Sequence, residues 1–421
     1  MSKGRYRVRD CQDIDWKDLC DRAGGDALVF AVDVAKEAFV AALVGSDGAV
    51  LERVKWSHPA QTRLILDGLV ALQGRGEVVV AMESSGSYGD ALRWQLHKRA
   101  IAVYRVSAKH VHDSAEVYDG VASLHDAKAA DLIALLHQHA RSRRWELLDE
   151  QRRDVNALVQ RLDQLKAQQQ RQRNRLEALL SRHWPELSSV IDLNSISAAQ
   201  LIAALGSPCY VRAFAHRGEA KLHEASRGHL GALRIAEILE SARTTLGMPC
   251  SSQEQALLRA VGRNLLALHQ EILHLTHELE GEVAQDKRLQ SMAEVIGAVT
   301  ATVFYAHLGA SQRYPNAHSY LKAMGLNLKE HSSGKHKGAL KITKRGASKV
   351  RFYLYFAALR LIAQDPRVMR WFKAKCNRPG AIKGKVIVEL MRKLAKGLWH
   401  LGQGEPFSVA RLFAPPPMRA S

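Results

Sequence analysis

The order of apolar and polar positions changes character along the chain. Leu28–Ala35 is an apolar run interrupted by Asp33, Phe39–Val44 is a second run, and Gly45-Ser46-Asp47-Gly48 leads into Ala49–Trp56. Short apolar runs separated by a glycine-bearing turn predict a three-strand antiparallel meander. A helix over about Gln61–Leu72 follows, then a buried strand at Val78–Met82, a helix near Tyr88–Arg99, a strand at Ile101–Val106 and a helix from about Asp126 to His139. Strands first and then strand–helix alternation indicate an α/β unit over residues 27–143, a mixed sheet with helices on both faces. Residues 1–26 are polar and glycine-punctuated, sustain no period, and read as a loose leader.

Beyond Arg143 the pattern is helical. Val155, Leu158, Leu162, Leu165, Gln169, Gln172, Leu176 and Leu179 keep a 3-4 spacing, as do Leu258, Val261, Leu265, Leu268, Ile272, Leu275 and Leu279. Such seams predict two coiled-coil arms within residues 144–289, with a smaller helical insert at about 190–250. The glutamine pair weakens the first seam while helping to fix register or oligomer state. Periodicity does not name the partner, so an intramolecular hairpin and a dimer are both open. Residues 290–413 read as a compact helical domain whose glycine-rich, basic stretch Ser333–Gly346 is its least helical part, and residues 414–421, with three prolines in a row, as a loose tail. The fold class is therefore α/β plus α.

At 421 residues the chain exceeds what one core ordinarily supports, so two or three units are expected. Sixty-one Lys and Arg against 42 Asp and Glu leave a formal charge of +19, which favours a polyanionic partner, nucleic acid first. The excess is concentrated: from Lys329 to Lys396 the acids are Glu330, Asp365 and Glu389. Cys11, Cys20, Cys209, Cys250 and Cys376 form neither a CxxC pair nor a zinc-finger spacing, which argues against structural zinc and disulfides and suits a reducing cytoplasm. A charged start and the lack of any run of about 18 apolar residues give no sign of a signal peptide or a membrane helix.

Two constellations carry chemistry. Asp33 interrupts an apolar strand, where a carboxylate is costly unless paired, hydrogen-bonded or bound to a cation. Glu83 closes the next buried strand, and ligands bind at such strand ends in α/β sheets. Asp126 opens a helix and could join them. A set of hard oxygen donors suits Mg²⁺ or Mn²⁺, which can activate a phosphodiester. Each acid also has a plain structural role open to it, as strand-end hydrogen bonder, helix-start charge or N-cap. The second constellation runs from His331-Ser332-Ser333-Gly334-Lys335-His336-Lys337 to Lys341-Ile342-Thr343-Lys344-Arg345-Gly346. Glycines admit a phosphate close to the backbone and cations stabilise charge on it, so Ser333 is the candidate nucleophile. A flexible loop that only touches phosphates has the same composition.

In this order the motifs resemble the insertion-sequence 110-type transposase family, which includes the Piv DNA invertases. The resemblance rests on Phe30-Ala31-Val32-Asp33-Val34-Ala35-Lys36, Met82-Glu83 through Gly86-Ser87-Tyr88, Ala323-Met324-Gly325-Leu326, the serine loop through Gly346, Arg351, Lys383-Gly384-Lys385-Val386 and Met391-Arg392-Lys393-Leu394-Ala395. It implies a RuvC-like domain of RNase H fold binding Mg²⁺ through an Asp-Glu-Asp-Asp set, with Asp33, Glu83 and Asp126 as the first three acids. It also implies a C-terminal transposase domain in which Ser333 attacks DNA, dimers or tetramers joined by the coiled coil, and in many members a structured guide, called bridge RNA.

Two positions depart from the pattern. The fourth acid belongs three residues after the third, where this chain has Ala129; the nearest carboxylate, Asp131, points roughly 160° away from that position on a regular helix. Asp131 serves through a local distortion, another acid serves, or metal binding is weaker. The second departure is Glu294-Val295-Ile296-Gly297, which keeps only the last glycine of a Pro-Gly-hydrophobic-Gly turn.

The expectation is a transposase or site-specific DNA recombinase. Lys335, Lys337, Lys341, Lys344, Arg345 and Arg351 would contact phosphates, and Lys383, Lys385, Arg392 and Lys393 would extend the footprint. Strand transfer conserves bond energy, in keeping with the lack of a GxxxxGK[ST] loop. The alternatives are a junction-resolving nuclease that attacks with water and a non-catalytic nucleic-acid-binding relative.

Overall fold

The apolar run 28–34 becomes an interior strand because both of its faces find helices to bury against. In the computed structural model, which describes residues 6–84, 86–213, 218–330, 332–333, 336–338 and 340–413, the chain divides into two units, Met1–Leu148 and Asp149–Ser421.

The first unit contains β1 (Arg9–Asp10), α1 (Trp16–Ala23), β2 (Leu28–Val34), β3 (Ala38–Val44), β4 (Val50–Ser57), α2 (Thr62–Gln73), β5 (Val78–Glu83), α3 (Asp90–Lys98), β6 (Ala102–Val106), α4 (Ala108–Asp119), α5 (Asp126–Gln138) and β7 (Ser142–Arg144). The sheet runs β1-β4-β3-β2-β5-β6-β7. β2, β3 and β4 form the expected antiparallel meander, while β5 lies parallel to β2 and β6 parallel to β5. Side chains alternate across the strands. Phe30, Val32, Val80 and Met82 enter one core with residues of α1, α2 and α3. Val29, Ala31, Ala42 and Ala81 enter a second core with residues of α4 and α5.

Residues 6–26 are not a loose leader, while residues 1–5 lie outside the described residues. β1 pairs with β4, Cys11, Leu19, Cys20 and Ala23 are buried in the first core, and the Trp16 ring lies directly over Gly68 of α2, where a Cβ would fall 2.3 Å from it. β1 has only two residues, both charged, too short a signal for any periodicity to reveal.

The second unit opens with α6 (Glu150–His183), continues through α7 (Leu187–Val190), α8 (Ile196–Leu205), α9 (Pro208–Ala213), α10 (Gly218–Ala225) and α11 (Ala232–Thr244), and returns along α12 (Ser252–Gln285). The seams of α6 and α12 meet within the chain, so the arms form an antiparallel hairpin. Leu176 and Leu180 share a core with Leu258, Val261 and Leu265, whereas Val155, Val159, Leu162 and Leu165 share one with Leu275 and Leu279. Arg161 bridges to Glu271 at 2.9 Å. Between the two cores, Gln168, Arg171, Gln172, Asn264, Ala267, Leu268 and Glu271 line a groove of mixed character.

The remaining elements are α13 (Lys287–Ile296), α14 (Ala298–Leu308), α15 (Ala317–Ala323), β8 (Leu328–Lys329), β9 (Ser332–Ser333), β10 (His336–Lys337), β11 (Lys341–Ile342), α16 (Ser348–Gln364), α17 (Pro366–Cys376), α18 (Lys383–Gly402) and α19 (Val409–Leu412). The apolar faces of α13 to α18 join Val155–Leu165 of α6 and Leu275–Leu279 of α12 in one core. The expected loose tail, residues 414–421, lies outside the described residues. Among the described residues, no helix is long and apolar enough to cross a membrane.

Candidate active site

β2 and β5 place two acids side by side because the strands are parallel and in register. Val32 lies opposite Met82, so Asp33 and Glu83 are the next step on each strand. Both follow the parity of Ala31 and Ala81 and therefore face α5. Asp126 is the first residue of α5, whose N-cap His125 accepts a hydrogen bond from the Lys128 amide at 3.3 Å. The sheet and this helix start thus put Glu83 and Asp126 near enough to Asp33 for their charges to act on it.

Their electrostatics show the proximity. Burial, then the charge of Glu83, then that of Asp126 push the Asp33 carboxyl up to about 7, against an ordinary 3.8, partly opposed by a hydrogen bond from the Val34 amide. Burial also raises Glu83. Three hard oxygen donors that repel one another are the chemistry a divalent cation would relieve. They are not a closed ligand cage: among the described residues, no group of three or more acids, histidines or cysteines converges tightly enough to hold a metal ion.

Asp131 does not join them. Its buried carboxylate is gripped by Arg53 of β4, with Nε to Oδ1 and Nη2 to Oδ2 both at 2.8 Å, and Tyr118 donates to Oδ2 at 3.4 Å. Five residues along α5 carry it away from the Asp126 side, and the bidentate pair spends its oxygens on Arg53. Ala129 packs in the apolar core between α5 and the sheet.

Sequence reasoning missed the clamp that holds the approach to Asp126. The Lys128 ammonium, almost fully buried, donates to Asp119 Oδ1 at 2.6 Å and to the carbonyls of Val121 and Ser123 at 2.6 and 3.0 Å. Tyr6 donates to Asp119 Oδ2 at 2.7 Å. These hydrogen bonds, from Lys128 first, hold the Asp119 carboxyl down at about 2. One lysine therefore ties the end of α4 and residues 120–125 to α5. Lys128 gives little warning of this, since a lysine among alanines ordinarily reads as a solvated helix position.

In the second unit the serine loop is a two-tier hairpin. β8 pairs with β11, Leu328 opposite Ile342; β9 pairs with β10, Ser333 opposite His336. Its base is fastened by Thr343 to Asn327, backbone at 2.9 Å and side chain at 2.6 Å, and by Lys344 N–H to Gly325 O at 3.0 Å. Gly346 sits so close to Ala323 and Gly325 that a Cβ there would fall 2.3 Å from a carbonyl oxygen, and its φ of +154° is a conformation that favours glycine. The backbone of Ser333 and Lys337 is thus placed, whereas their side chains, and all of His331, Gly334 and Lys335, lie outside the described residues.

The predicted phosphate contacts divide. Lys341, Lys344, Arg345, Lys383 and Lys385 are exposed. Arg351 instead donates to the carbonyls of Met324 at 2.7 Å and Gly346 at 3.2 Å, bracing the hairpin base. Lys393 donates to Leu412 O at 2.7 Å and lies over the Trp371 and Phe413 rings, so its role is internal. Arg392 is half-buried, and burial lowers its pKa.

Two family models match in chain order. One, described as a transposase and titled for DEDD transposases of the IS110 type, spans residues 30–185, from β2 through most of α6 and its end. The other, described as the transposase IS116/IS110/IS902 family, spans residues 286–373, including the serine hairpin. Among similar proteins, a "Probable family 20 transposase" of Pseudomonas aeruginosa is 27% identical over 44% of this chain and 55% of its own length. The "Transposase for insertion sequence element IS1328" of Yersinia enterocolitica is 28% identical over 37% and 50%. The chain thus spans about half the length of these two relatives. The "Insertion element IS110 uncharacterized 43.6 kDa protein" of Streptomyces coelicolor is 22% identical over 86% and 90%. With the acids at strand ends in the first matched segment and the serine hairpin in the second, the chain belongs to the IS116/IS110/IS902 transposase family.

Proposed function

We propose that this protein cleaves and rejoins DNA as a transposase or site-specific recombinase, with an RNase H-like, RuvC-like first unit. The observation that carries the reading is Asp33: a mostly buried carboxylate kept beside Glu83 and Asp126 and raised to about 7. Such an arrangement costs stability and is the kind that active sites maintain. Asp33, Glu83 and Asp126 would hold Mg²⁺ or Mn²⁺. Bound there, the ion would polarise a phosphodiester and neutralise charge on its oxygens.

The chain's own contribution is the nucleophile and its surroundings. The Ser333 oxygen forms a bond to phosphorus as one P–O ester bond to deoxyribose breaks; the serine proton is lost and the departing sugar oxygen gains one, leaving a serine–DNA phosphodiester. Attack by a sugar hydroxyl on that linkage restores the serine and joins the strand, so no ATP is consumed. Exposed Lys341, Lys344, Arg345, Lys383 and Lys385 would neutralise phosphates, which makes binding fall steeply with salt. Family resemblance supports a structured guide RNA and a homodimeric or tetrameric assembly as partners.

Strand cleavage on native element ends, with Mg²⁺ or Mn²⁺ supplied, tests the reading. Ser333→Ala should lose the covalent protein–DNA adduct and reduce joining by at least about a thousandfold, and Glu83→Gln should remove cleavage as well. Cleavage that survives Ser333→Ala would make water the nucleophile and the protein a junction-type nuclease.

A further inference from the structure

One face of α16 is apolar and turned to solvent. Its buried positions, among them Val350, Leu354, Ala357 and Ala358, serve the C-terminal core. On the other side Phe352, Tyr355 and Phe356 are 55%, 38% and 48% exposed. At about 100° per residue these three fall within roughly a 100° arc and form one ridge. The rings support one another edge to face, Phe352 to Phe356 at 5.0 Å and Tyr355 to Phe356 at 5.5 Å. A contiguous aromatic ridge in water marks an interaction surface.

Charge selects the occupant. Lys344 and Arg345 are exposed immediately before the helix, and Lys349 stands one turn before Phe352 on the same face. Of the three acids of this basic segment, Asp365 caps α17, Glu389 holds Lys375 at 2.7 Å, and Glu330 is exposed beside β8, outside α16 and its approach. Asp163 of α6 pairs with Lys349 at 3.0 Å and also faces Lys166 and Tyr353, while Lys344 and Arg345 are exposed. A second copy of this face would bring the same positive surplus against itself, whereas a chain of phosphates carrying free base faces complements both features. Bases in a duplex keep those faces stacked inside, so the strand must be unpaired.

We propose that Phe352, Tyr355 and Phe356 are a stacking platform for unpaired bases of a nucleic-acid strand whose phosphates lie along the basic approach to α16. Phe352 to Phe356 spans about 6 Å of helix axis, room for roughly two bases at the usual stacking rise of about 3.4 Å. The inference rests on the nucleic-acid reading above and adds the kind of strand, and the residues, that the sequence motifs do not contain.

Fluorescence anisotropy on the full chain tests it with unstructured single-stranded DNA, single-stranded RNA of the same sequence, and duplex DNA. Phe352→Ala with Phe356→Ala should weaken single-strand binding roughly tenfold or more and leave duplex binding within about twofold, while Phe352→Trp with Phe356→Trp should retain both. Whichever single strand loses more identifies the source. Single-strand binding unchanged in the alanine variant overturns the proposal, as does a loss equal on the duplex. So does a smaller assembly on sedimentation with binding intact, which would make the ridge a contact between copies. Wild-type protein that binds no nucleic acid at all overturns both this inference and the parent reading; duplex binding alone overturns only this one.

Discussion

Replacing Asp33 by asparagine should stabilise the metal-free protein while destroying its activity, and the size of the gain follows from the carboxyl's environment. Its pKa is raised from 3.8 to about 7 in the folded chain, so between those values the native state binds the proton and the unfolded state does not. Stability from this group is therefore fully present below about pH 4, falls as pH rises, and is fully lost above about pH 7. Three pKa units at about 1.4 kcal/mol each make the penalty on the order of 4 kcal/mol at pH 8. Asparagine carries no such penalty, so Asp33→Asn should gain a few kcal/mol at pH 8 and less than about 1 kcal/mol near pH 4. For a unit of this size that is a rise in Tm on the order of 5–10 °C. Because two units can unfold separately, calorimetry should be read with hydrogen exchange resolved to β2, β5 and α5. Added Mg²⁺ should raise the wild-type transition at pH 8 and leave the variant unmoved. Equal stability of the two proteins at pH 8, or a gain that does not shrink on acidification, would refute the account of the acid cluster.

Two further substitutions probe how the first unit is held. Arg53→Met strands the buried Asp131 carboxylate and should cost about 3–5 kcal/mol, most of it recovered in Arg53→Met with Asp131→Leu; thermal unfolding of the three proteins decides this, and full recovery of Mg²⁺-dependent cleavage in the double variant would confirm that Asp131 is no metal ligand. Gly68→Ala drives a methyl into the Trp16 ring and should cost about 1–3 kcal/mol, seen as faster exchange in α1 and β1; an unchanged protein would mean the N-terminal segment is not docked as described.

The antiparallel meander, the mixed sheet, the strand-end position of Glu83 and the place of Asp33 within a buried strand were readable in the sequence because short apolar runs bounded by turns mark buried strands, and an acid inside such a run stands out. Other features leave no such trace. β1 and α1 dock through a few scattered residues, Cys11, Leu19 and Cys20 among them, too few for a pattern. Periodicity places Leu176 and Leu258 in a seam but is silent on whether the seam closes within one chain, which depends on where the turn lies. Asp131 and Lys128 share a helix with Asp126, yet their roles are set by Arg53 and Asp119, partners distant in sequence or held by a loop. Arg351 and Lys393 looked available because composition counts charges without showing which backbone carbonyls they already serve.

The hairpin of α6 and α12 behaves as a ruler. Its two ends belong to separate cores, and the stretch between Leu165 and Leu176 is about 16 Å of helix in which Gln169 and Gln172 stand at the seam positions of α6 in place of apolar residues. Matched insertions of two turns, one in each arm, would move the insert's core further from the C-terminal helices without uncovering either. The length of reach is therefore a property evolution or an engineer can alter independently of both ends, and a graded series of such insertions would read out how far apart the protein's working surfaces must stand.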